Sequence, residues 1–169
     1  LEVAKVHPKL GKILEIEANI SEKAAQKFAD NQGISRKDLT IKAVHGPLLL
    51  KMHRYINSII ALDTNNKIQN EITIERVDAG GVESEWVYVP NTDPKKVLFH
   101  LFGGGYVIGN LETRRWIPYL FSKETNLRCL NIGYRLAPEF PYPNALEDSI
   151  NAYKWLLTQD IAPKNIIIC

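Results

Sequence analysis

The sequence feature with the clearest chemical potential is a run of three glycines that follows an apolar stretch. Residues 97–101 are rich in branched and aromatic side chains, which predicts a buried strand, and the chain continues through Phe102 into Gly103, Gly104 and Gly105. Because glycine has no Cβ atom, another molecule can approach this backbone very closely. The amides of Gly104 and Gly105 are therefore candidate donors to the negative charge that develops on a carbonyl oxygen when a nucleophile adds to it.

The glycine run alone does not establish this chemistry. Three glycines after a strand also occur in tight strand-to-helix turns, and taken alone the run favours that interpretation. A phosphate-binding loop is disfavoured, because no Gly-Lys-Ser/Thr follows and the spacing is not G-x-G-x-x-G. A second stretch is needed to decide between these interpretations.

Residues 131–148, N-I-G-Y-R-L-A-P-E-F-P-Y-P-N-A-L-E-D, supply that second stretch. A Gly-Gly-Gly turn followed at this distance by Y-R-L-A-P-E, a Pro-x-Pro and an Ala-Leu-Glu-Asp helix start resembles the hormone-sensitive-lipase-like family of α/β-hydrolases. The resemblance covers residues 97–169. It implies an α/β-hydrolase fold, with a mostly parallel sheet flanked by helices and an N-terminal helical cap segment, and it places the end of the chain at the strand before the nucleophile elbow.

The resemblance also implies a function, that of a serine carboxylic-ester hydrolase (esterase or lipase) acting through an acyl-enzyme without a cofactor. Carried over, Gly104 and Gly105 donate to the oxyanion, Gly103 shapes the turn, and Tyr106 flanks the loop as a substrate-binding residue. The serine of a G-D-S-A-G-G elbow is expected just after Cys169, so the Ser/Asp/His triad lies outside this segment. The segment alone is expected to be inactive. Its implied partners are a small-molecule ester and the remaining C-terminal part of the hydrolase domain.

One position departs from the family pattern. Phe102 stands where the family has the histidine of H-G-G-G, and His100 does not replace it, because residues two apart in a strand share a face at different depths. The change bears on the geometry of the loop more than on the type of reaction. It also motivates an alternative function, a non-catalytic ligand-binding relative of the α/β-hydrolases. A nucleotide-binding α/β domain is a distant third, since its fingerprint glycines and acidic residue are missing.

Several polar residues outside the loop are expected to be structural. A charge cluster near a proline-rich turn is more often a local ion-pair network than a catalytic group, and a strand histidine is more often a hydrogen-bonded core residue than a base. Serines within predicted helices lack the strained, glycine-flanked turn that exposes a nucleophile. The residues concerned are His100, Ser122, Arg135, Glu139, Asp148 and Ser149.

Composition and charge narrow the class of protein. The 169 residues are 45% hydrophobic, enough for a real core, and the net charge of +2 with mixed signs gives no indication of nucleic-acid binding. The histidines show no metal-ligand spacing, and Cys129 and Cys169 are predicted to be reduced, buried thiols. We find no signal-peptide core or membrane-spanning stretch in these residues and expect a cytoplasmic protein. Self-association is a partner class that the sequence leaves open.

Two segments are expected to carry these residues. Residues 1–66 are predicted to be an N-terminal helical cap segment, with Ser21 as an N-cap and a capping box at residues 35–38. Its strongest apolar stripe begins at Pro47, and the helical periodicity ends near Ala61. The stripe consists of Leu48, Met52, Tyr55, Ile56, Ile59 and Ile60, with Lys51, Arg54 and Asn57 off it.

Residues 67–169 are predicted to be the N-terminal half of the α/β-hydrolase domain. An edge hairpin comes first, followed by alternating strands and helices that indicate a parallel sheet. Asn144 and Glu147 are predicted to cap a helix, and residues 166–168 to form a buried strand. Because ligands bind beyond the carboxyl ends of parallel strands, the glycine turn and the position after Cys169 are expected at one edge. The buried stripe of the last helix is predicted to be Leu146, Ile150, Tyr153 and Leu157.

Overall fold

The computed structural model describes residues 47–169 together with Lys23, Gln26, Lys27, Asp30, Asn31 and Gly33. The predicted N-cap at Ser21 and the capping box at residues 35–38 lie outside the described residues. The chain divides into two units, Leu1–Ile60 and Ala61–Cys169. The assignment of residues 1–66 to a cap stays a prediction.

Helix α1, Pro47–Ile68, contains the strongest predicted stripe. In the first unit, Tyr55, Ile56 and Ile59 are half-buried, but so is Arg54, which the periodicity placed off the stripe. The side chains of Leu48, Met52 and Ile60 lie outside the described residues.

In the second unit, α1 continues beyond the predicted end of the helical pattern near Ala61. Ala61 and Ile68, which fall on one helical face, are both buried. Asn65 donates from Nδ2 to the carbonyl oxygen of Glu112 at 3.2 Å. This burial and this tertiary hydrogen bond stabilise the helix beyond the end of the apolar periodicity.

The described strands form one mixed sheet in the order β1-β2-β4-β3-β5. β1 and β2 pair antiparallel and form the predicted edge hairpin, and β2 also pairs antiparallel with β4. β3 pairs parallel with β4 on one side and with β5 on the other. The run of glycines at residues 103–105, called the glycine loop below, therefore follows a strand in the parallel half of the sheet. The strands are β1 (Thr73–Asp78), β2 (Glu83–Tyr88), β3 (Asp93–His100), β4 (Leu127–Ile132) and β5 (Ile166–Ile168).

Helices connect the parallel strands, as the sequence predicts. α2 (Leu111–Arg114) and α3 (Trp116–Thr125) lie between β3 and β4, and α4 (Asn144–Leu157) with a 3-10 turn lies between β4 and β5. Pro118 lies in the first turn of α3, where its missing N–H costs least. A capping box at Asn110 and Thr113 starts α2, with both bonds 2.8 Å long.

The start of α4 differs from the prediction. Its N-cap residue is Pro143, which makes no side-chain cap bond. The side-chain amide of Asn144 instead donates to the carbonyl oxygen of Pro141 at 2.6 Å. The predicted capping box of Asn144 and Glu147 is therefore wrong, because the Asn144 side chain bonds the preceding turn rather than a helix amide.

The buried face of α4 also differs from the prediction. The helix buries Asp148, Ala152 and Leu156. Asp148 lies on the inner face because its carboxylate pairs with Arg135, an interaction that hydrophobic periodicity does not register. Tyr153 does pack against the core. The remaining members of the predicted stripe, Leu146, Ile150 and Leu157, are 49%, 43% and 38% exposed.

The core of the second unit surrounds β3 and β4. Phe99, Leu130, Ile132 and Leu156 are among its largest fully buried side chains. The last four residues of β3 are all buried. The glycine loop therefore follows the buried end of β3.

The two cysteines have different environments. Cys129 is buried, as predicted, and burial raises the pKa of its thiol to about 12. Cys169 is a free thiol too, but it is exposed, so the prediction of two buried thiols is wrong. The reason is that Cys169 follows the edge strand β5, whose Ile167 and Ile168 are also exposed. The prediction of a buried strand at residues 166–168 is wrong for the same reason.

Candidate active site

The sheet brings the glycine loop and Cys169 to one edge. The amide of Leu101 donates to the carbonyl oxygen of Cys169 at 2.8 Å, and the amide of Cys169 donates to that of Phe99 at 3.0 Å. Cys169 therefore lies beside the residue that precedes Phe102 and the glycines. This is the juxtaposition at the carboxyl ends of parallel strands that the alternating pattern predicts.

The three glycines differ in what their backbone requires. Gly104 has φ 151° and Gly105 has φ 62°, both in the region that favours glycine, whereas Gly103 does not. A Cβ atom on Gly104 would collide with the carbonyl oxygen of Ile108. The carbonyl oxygen of Gly104 accepts from the amides of Val107 at 3.2 Å and Ile108 at 3.1 Å. A tight turn thus makes glycine necessary at position 104.

The amides of Gly104 and Gly105 have no hydrogen-bond acceptor among the residues that the structure describes. Both residues line a cavity of about 580 Å³. An N–H group without a partner beside a cavity is a donor that a bound oxygen could use.

The cavity is apolar, and its described lining side chains are all uncharged. Tyr106, which has φ 62°, lies on the rim and is 66% exposed, and Tyr142 is 86% exposed. The structure therefore places Tyr106 where it could contact a bound molecule. The lining residues are Leu101, Phe102, Gly103, Gly104, Gly105, Tyr106, Tyr134, Ala137, Phe140, Tyr142, Pro143, Ala145, Leu146 and Ser149.

Phe102, the residue in place of the family histidine, lies beneath the loop and is only 2% exposed. Its ring stacks on that of Tyr134, with centroids 4.4 Å apart and planes 17° apart. On Gly109, which has φ 107°, a Cβ atom would come within 2.9 Å of the Phe102 ring. Phe102 thus fills the space under the loop with an aromatic ring in contact with Tyr134 and Gly109.

Tyr134 also bonds the loop through its hydroxyl group, which donates to the carbonyl oxygen of Phe102. Burial raises the pKa of Tyr134 to about 12. The phenol is therefore protonated at neutral pH and can donate this hydrogen bond. Sequence reasoning did not assign a role to Tyr134, although it is the first residue of the Y-R-L-A-P-E motif.

His100 is a core residue, as predicted. It is buried on β3, and its Nδ1 lies 2.9 Å from Oδ1 of Asn131. Burial lowers the pKa of His100 and outweighs the opposing effect of the Asn131 bond. Asn131 in turn donates from Nδ2 to Oε1 of Glu85 at 3.0 Å.

Arg135 and Asp148 form a local ion pair, as the sequence predicts. The guanidinium donates from Nη2 to Oδ1 of Asp148 at 2.7 Å, and the Arg135 amide donates to Oδ2 at 2.9 Å. Burial alone would raise the pKa of Asp148, but the bonds from Arg135 outweigh it and hold the pKa below its usual range. The ion pair links the segment that follows β4, through Arg135, to helix α4, through Asp148.

Ser149 and Ser122 are both bonded to backbone groups. Ser149 lines the cavity, but its hydroxyl donates to the carbonyl oxygen of Ala145 at 2.7 Å. Ser122 is buried, and its hydroxyl oxygen accepts from the amide of Val89 at 3.0 Å. Neither serine has the glycine-flanked turn of a nucleophile, in line with the expectation from the sequence.

Sequence reasoning missed a buried ion pair between strand β2 and the α2–α3 junction. Arg115 donates from Nε to Oε1 of Glu85 at 3.0 Å and from Nη2 to Oε2 at 2.7 Å, and Glu85 is wholly buried. The sequence did contain an indication of this pair, because Glu85 stands directly before Trp86 and Val87 in a strand of core residues. A charge there requires a buried partner.

The described residues contain no candidate metal centre. No group of three or more His, Cys, Asp or Glu side chains is arranged to hold a metal ion within the described part of the chain. None of the helices that the structure describes combines the length and the hydropathy that a membrane span needs.

Known proteins resemble this chain both in sequence and in structure. A family model described as the α/β hydrolase fold matches residues 97–169. An esterase of Acinetobacter venetianus is 33% identical over 97 residues, which are 57% of this chain and 32% of the relative. An ethyl acetate hydrolase of Pseudomonas putida is 34% identical over 73 residues, which are 41% of this chain and 23% of the relative.

Solved structures extend the likeness to most of the chain. A crystal structure of an esterase from the bacterial hormone-sensitive lipase family superposes with a TM-score of 0.67 at 27% identity, covering 89% of this chain and 46% of that one. An esterase/lipase from an uncultured bacterium superposes with a TM-score of 0.62 at 28% identity, covering 92% and 46%. The chain thus spans less than half the length of these relatives. Sequence match and structural relatives together support an α/β-hydrolase fold for residues 97–169, similar to the N-terminal portion of esterases of the hormone-sensitive lipase family.

Proposed function

We propose that this chain is the N-terminal part of a serine carboxylic-ester hydrolase that acts through an acyl-enzyme on small or medium acyl esters. The observation that carries the proposal is the glycine loop, in which two amides without an acceptor among the described residues border an apolar cavity. The esterases that resemble the chain in sequence and structure support the same reaction class.

In the proposed reaction, a serine just after Cys169 attacks the ester carbonyl carbon, and a histidine oriented by an acidic residue accepts its proton. The carbonyl oxygen becomes an oxyanion and receives hydrogen bonds from the amides of Gly104 and Gly105. The amide of the residue after the serine is a third donor. The alcohol leaves with the proton from the histidine, and water then hydrolyses the acyl-enzyme.

The cavity indicates what kind of ester would bind. Its described lining side chains carry no charge, so a charged acyl or alcohol group would lose its hydration without gaining a partner there. We therefore propose neutral, apolar esters as substrates. Tyr106, exposed on the rim, is proposed to contact the substrate.

The proposed enzyme requires more structure than the described second unit. Strand β5 lies at the sheet edge with Ile167 and Ile168 exposed, and α4 leaves Leu146 and Ile150 exposed nearby in sequence. We propose that the remaining C-terminal part of the hydrolase domain covers these surfaces and supplies the triad. Residues 1–66 are proposed to be a helical cap segment. A reducing cytoplasm is the proposed compartment, supported by two free cysteines in the described part of the chain.

The experiment begins with the intact mass of the protein under denaturing conditions. The intact protein is then treated with a fluorophosphonate, which bonds a nucleophilic serine oxygen with loss of fluoride. We expect a mass beyond 19.2 kDa, one phosphonyl adduct on a serine after Cys169, and hydrolysis of p-nitrophenyl butyrate that the adduct abolishes. A sequence that continues without a G-x-S-x-G, or an unlabelled protein that hydrolyses no ester, would contradict the proposal.

The second candidate function is a non-catalytic ligand-binding relative, which Phe102 in the place of the family histidine motivates. That protein would keep the cavity and the loop but lack the elbow serine. It would be stabilised against heat by a neutral alkyl ketone, which has the shape of an ester, and would turn over no ester. A phosphonyl adduct on serine excludes this candidate.

A further inference from the structure

Residues 134–137, which begin the Y-R-L-A-P-E motif, bond the glycine loop on both sides of its glycines. The Tyr134 hydroxyl donates to the carbonyl oxygen of Phe102, directly before Gly103. The Ala137 amide donates to the carbonyl oxygen of Tyr106, directly after Gly105, at 2.8 Å. Both ends of the glycine run are therefore held by one short segment.

A hydrogen bond to a carbonyl oxygen also restrains the orientation of the peptide plane that contains it. In a trans peptide, the C=O of one residue and the N–H of the next lie in one plane and point in opposite directions. The Tyr134 hydroxyl holds the C=O of Phe102, so it also sets the direction of the Gly103 N–H. The loop itself holds the C=O of Gly104 through the Val107 and Ile108 amides, which sets the direction of the Gly105 N–H.

The peptide plane between Phe102 and Gly103 is not held by a hydrogen bond from within the loop in this way. Gly103 has no positive φ, and a Cβ atom built on it would meet nothing within 4 Å, so neighbouring atoms do not confine it. The restraint comes from Tyr134, through its hydroxyl bond and through the stack of its ring on Phe102 at 4.4 Å. Rotation of this plane would change the entry into Gly104, whose turn is already sterically tight.

We propose that Tyr134 is a positioning residue that fixes the Phe102–Gly103 peptide plane and, through it, the entry of the chain into Gly104. Its hydroxyl group sets the Phe102–Gly103 peptide plane, and its ring holds Phe102 in place beneath the loop. The catalytic consequence rests on the proposed esterase function, whereas the effect on the loop does not. Tyr134 touches no reacting atom in this role.

The test compares Tyr134→Phe, which removes only the hydroxyl oxygen, with wild type in the intact protein labelled with 15N-glycine. We expect the amide signals of Gly103 and Gly104 to shift and the heteronuclear NOE of Gly103 to fall, because the Phe102–Gly103 peptide plane gains freedom. Tyr153→Phe is the matched control, since Tyr153 packs against the same core from α4 and does not line the cavity. Its glycine-loop signals should match wild type.

A second variant and a kinetic measurement complete the test. Tyr134→Leu removes the ring as well and should disturb the same glycine signals more strongly. With p-nitrophenyl butyrate, Tyr134→Phe should lower kcat about 10-fold and leave KM unchanged, because oxyanion donors act mainly in the transition state. A lower melting temperature without movement of the glycine signals would mean that Tyr134 is merely structural and would overturn the inference.

The outcomes separate this inference from the proposed function. If wild type hydrolyses no ester but Tyr134→Phe shifts the Gly103 and Gly104 signals, the positioning role stands and the esterase proposal fails. If wild type is an esterase and Tyr134→Phe leaves both the glycine signals and kcat unchanged, the positioning role fails alone.

Discussion

Arg115 and Glu85 form a buried, bidentate ion pair between the α2–α3 junction and strand β2. Asn131 also donates to Glu85 and contacts the ring of His100 on β3. The network therefore links β2, β4 and β3, and each of these polar side chains has a partner within it. Such a network stabilises one arrangement of the strands only while its members remain paired.

Glu85→Gln should strongly destabilise the protein, because it leaves the Arg115 guanidinium buried beside a neutral side chain. Loss of one partner of a buried pair costs about 3–5 kcal/mol in the free energy of unfolding. Urea unfolding followed by circular dichroism measures this. Lys95→Gln, in the exposed Lys95–Asp160 pair, is the matched control and should leave the midpoint unchanged. The double variant Glu85→Leu with Arg115→Met should be more stable than Glu85→Gln, and a lower stability would contradict this explanation.

Gly104→Ala should distort the loop, because φ 151° is unfavourable for alanine and the new Cβ would collide with the Ile108 carbonyl oxygen. If the esterase proposal is correct, kcat should fall by about 100-fold, the effect of losing an oxyanion donor. Thermal unfolding provides a second readout. Gly103→Ala, where nothing lies within 4 Å of the new Cβ, should change stability by at most about 1 kcal/mol in the stabilising direction. Equal melting temperatures for the two variants would contradict this explanation, because they would mean that the turn accommodates a Cβ atom at position 104 without strain.

Leu156→Ala and Leu157→Ala test which face of α4 packs on the sheet. Leu156 is fully buried and Leu157 is substantially exposed. Truncation of a buried leucine costs about 2–5 kcal/mol, whereas an exposed substitution usually changes stability by about 0.5 kcal/mol or less. Urea unfolding of both variants should therefore show a large loss for Leu156→Ala alone. A larger loss of stability for Leu157→Ala than for Leu156→Ala would instead support the buried stripe that periodicity predicts.

The Arg135–Asp148 pair should make stability depend on pH. The pKa of Asp148 is below its usual range in the folded protein, so the pair contributes fully above the unfolded pKa of about 3.9. That contribution is lost as the pH falls through the lower, folded pKa. Asp148→Asn should thus be clearly less stable than wild type at neutral pH, with a smaller difference in acid. Urea unfolding at neutral and acidic pH measures the difference, and a constant difference would mean that Asp148 does not titrate in this way.

Local sequence patterns were sufficient for the elements that position the site. The apolar run through Phe99 is a buried strand, the glycines after it form the tight turn, and the alternation that follows gives helices and strands in the predicted order. The mixed sheet was only partly foreseen, because the sequence predicts a hairpin at a sheet edge but not which strand it pairs with, which is β4. Strand order depends on contacts that local periodicity does not record.

The failures at Asp148 and Glu85 share one physical cause, which is pairing between residues that are not neighbours in sequence. Asp148 is turned inward by Arg135, so the most apolar stripe of α4 is not its buried face. Glu85 and Arg115 are far apart in sequence, and neither has a local pattern that names the other. The role of Phe102 likewise needed the Tyr134 ring, since the sequence shows a missing histidine but not what replaces its support.

The order of the strands also has a consequence for how the chain folds. β2 and β3 are consecutive in sequence, yet β4 lies between them in the sheet. During synthesis, the hairpin and β3 therefore emerge before the strand that joins them, and each presents unpaired backbone groups until β4 arrives. Non-local pairing of this kind slows folding and exposes strand edges to other chains. Substitutions that delay β4 should thus reduce soluble yield even where the finished structure tolerates them.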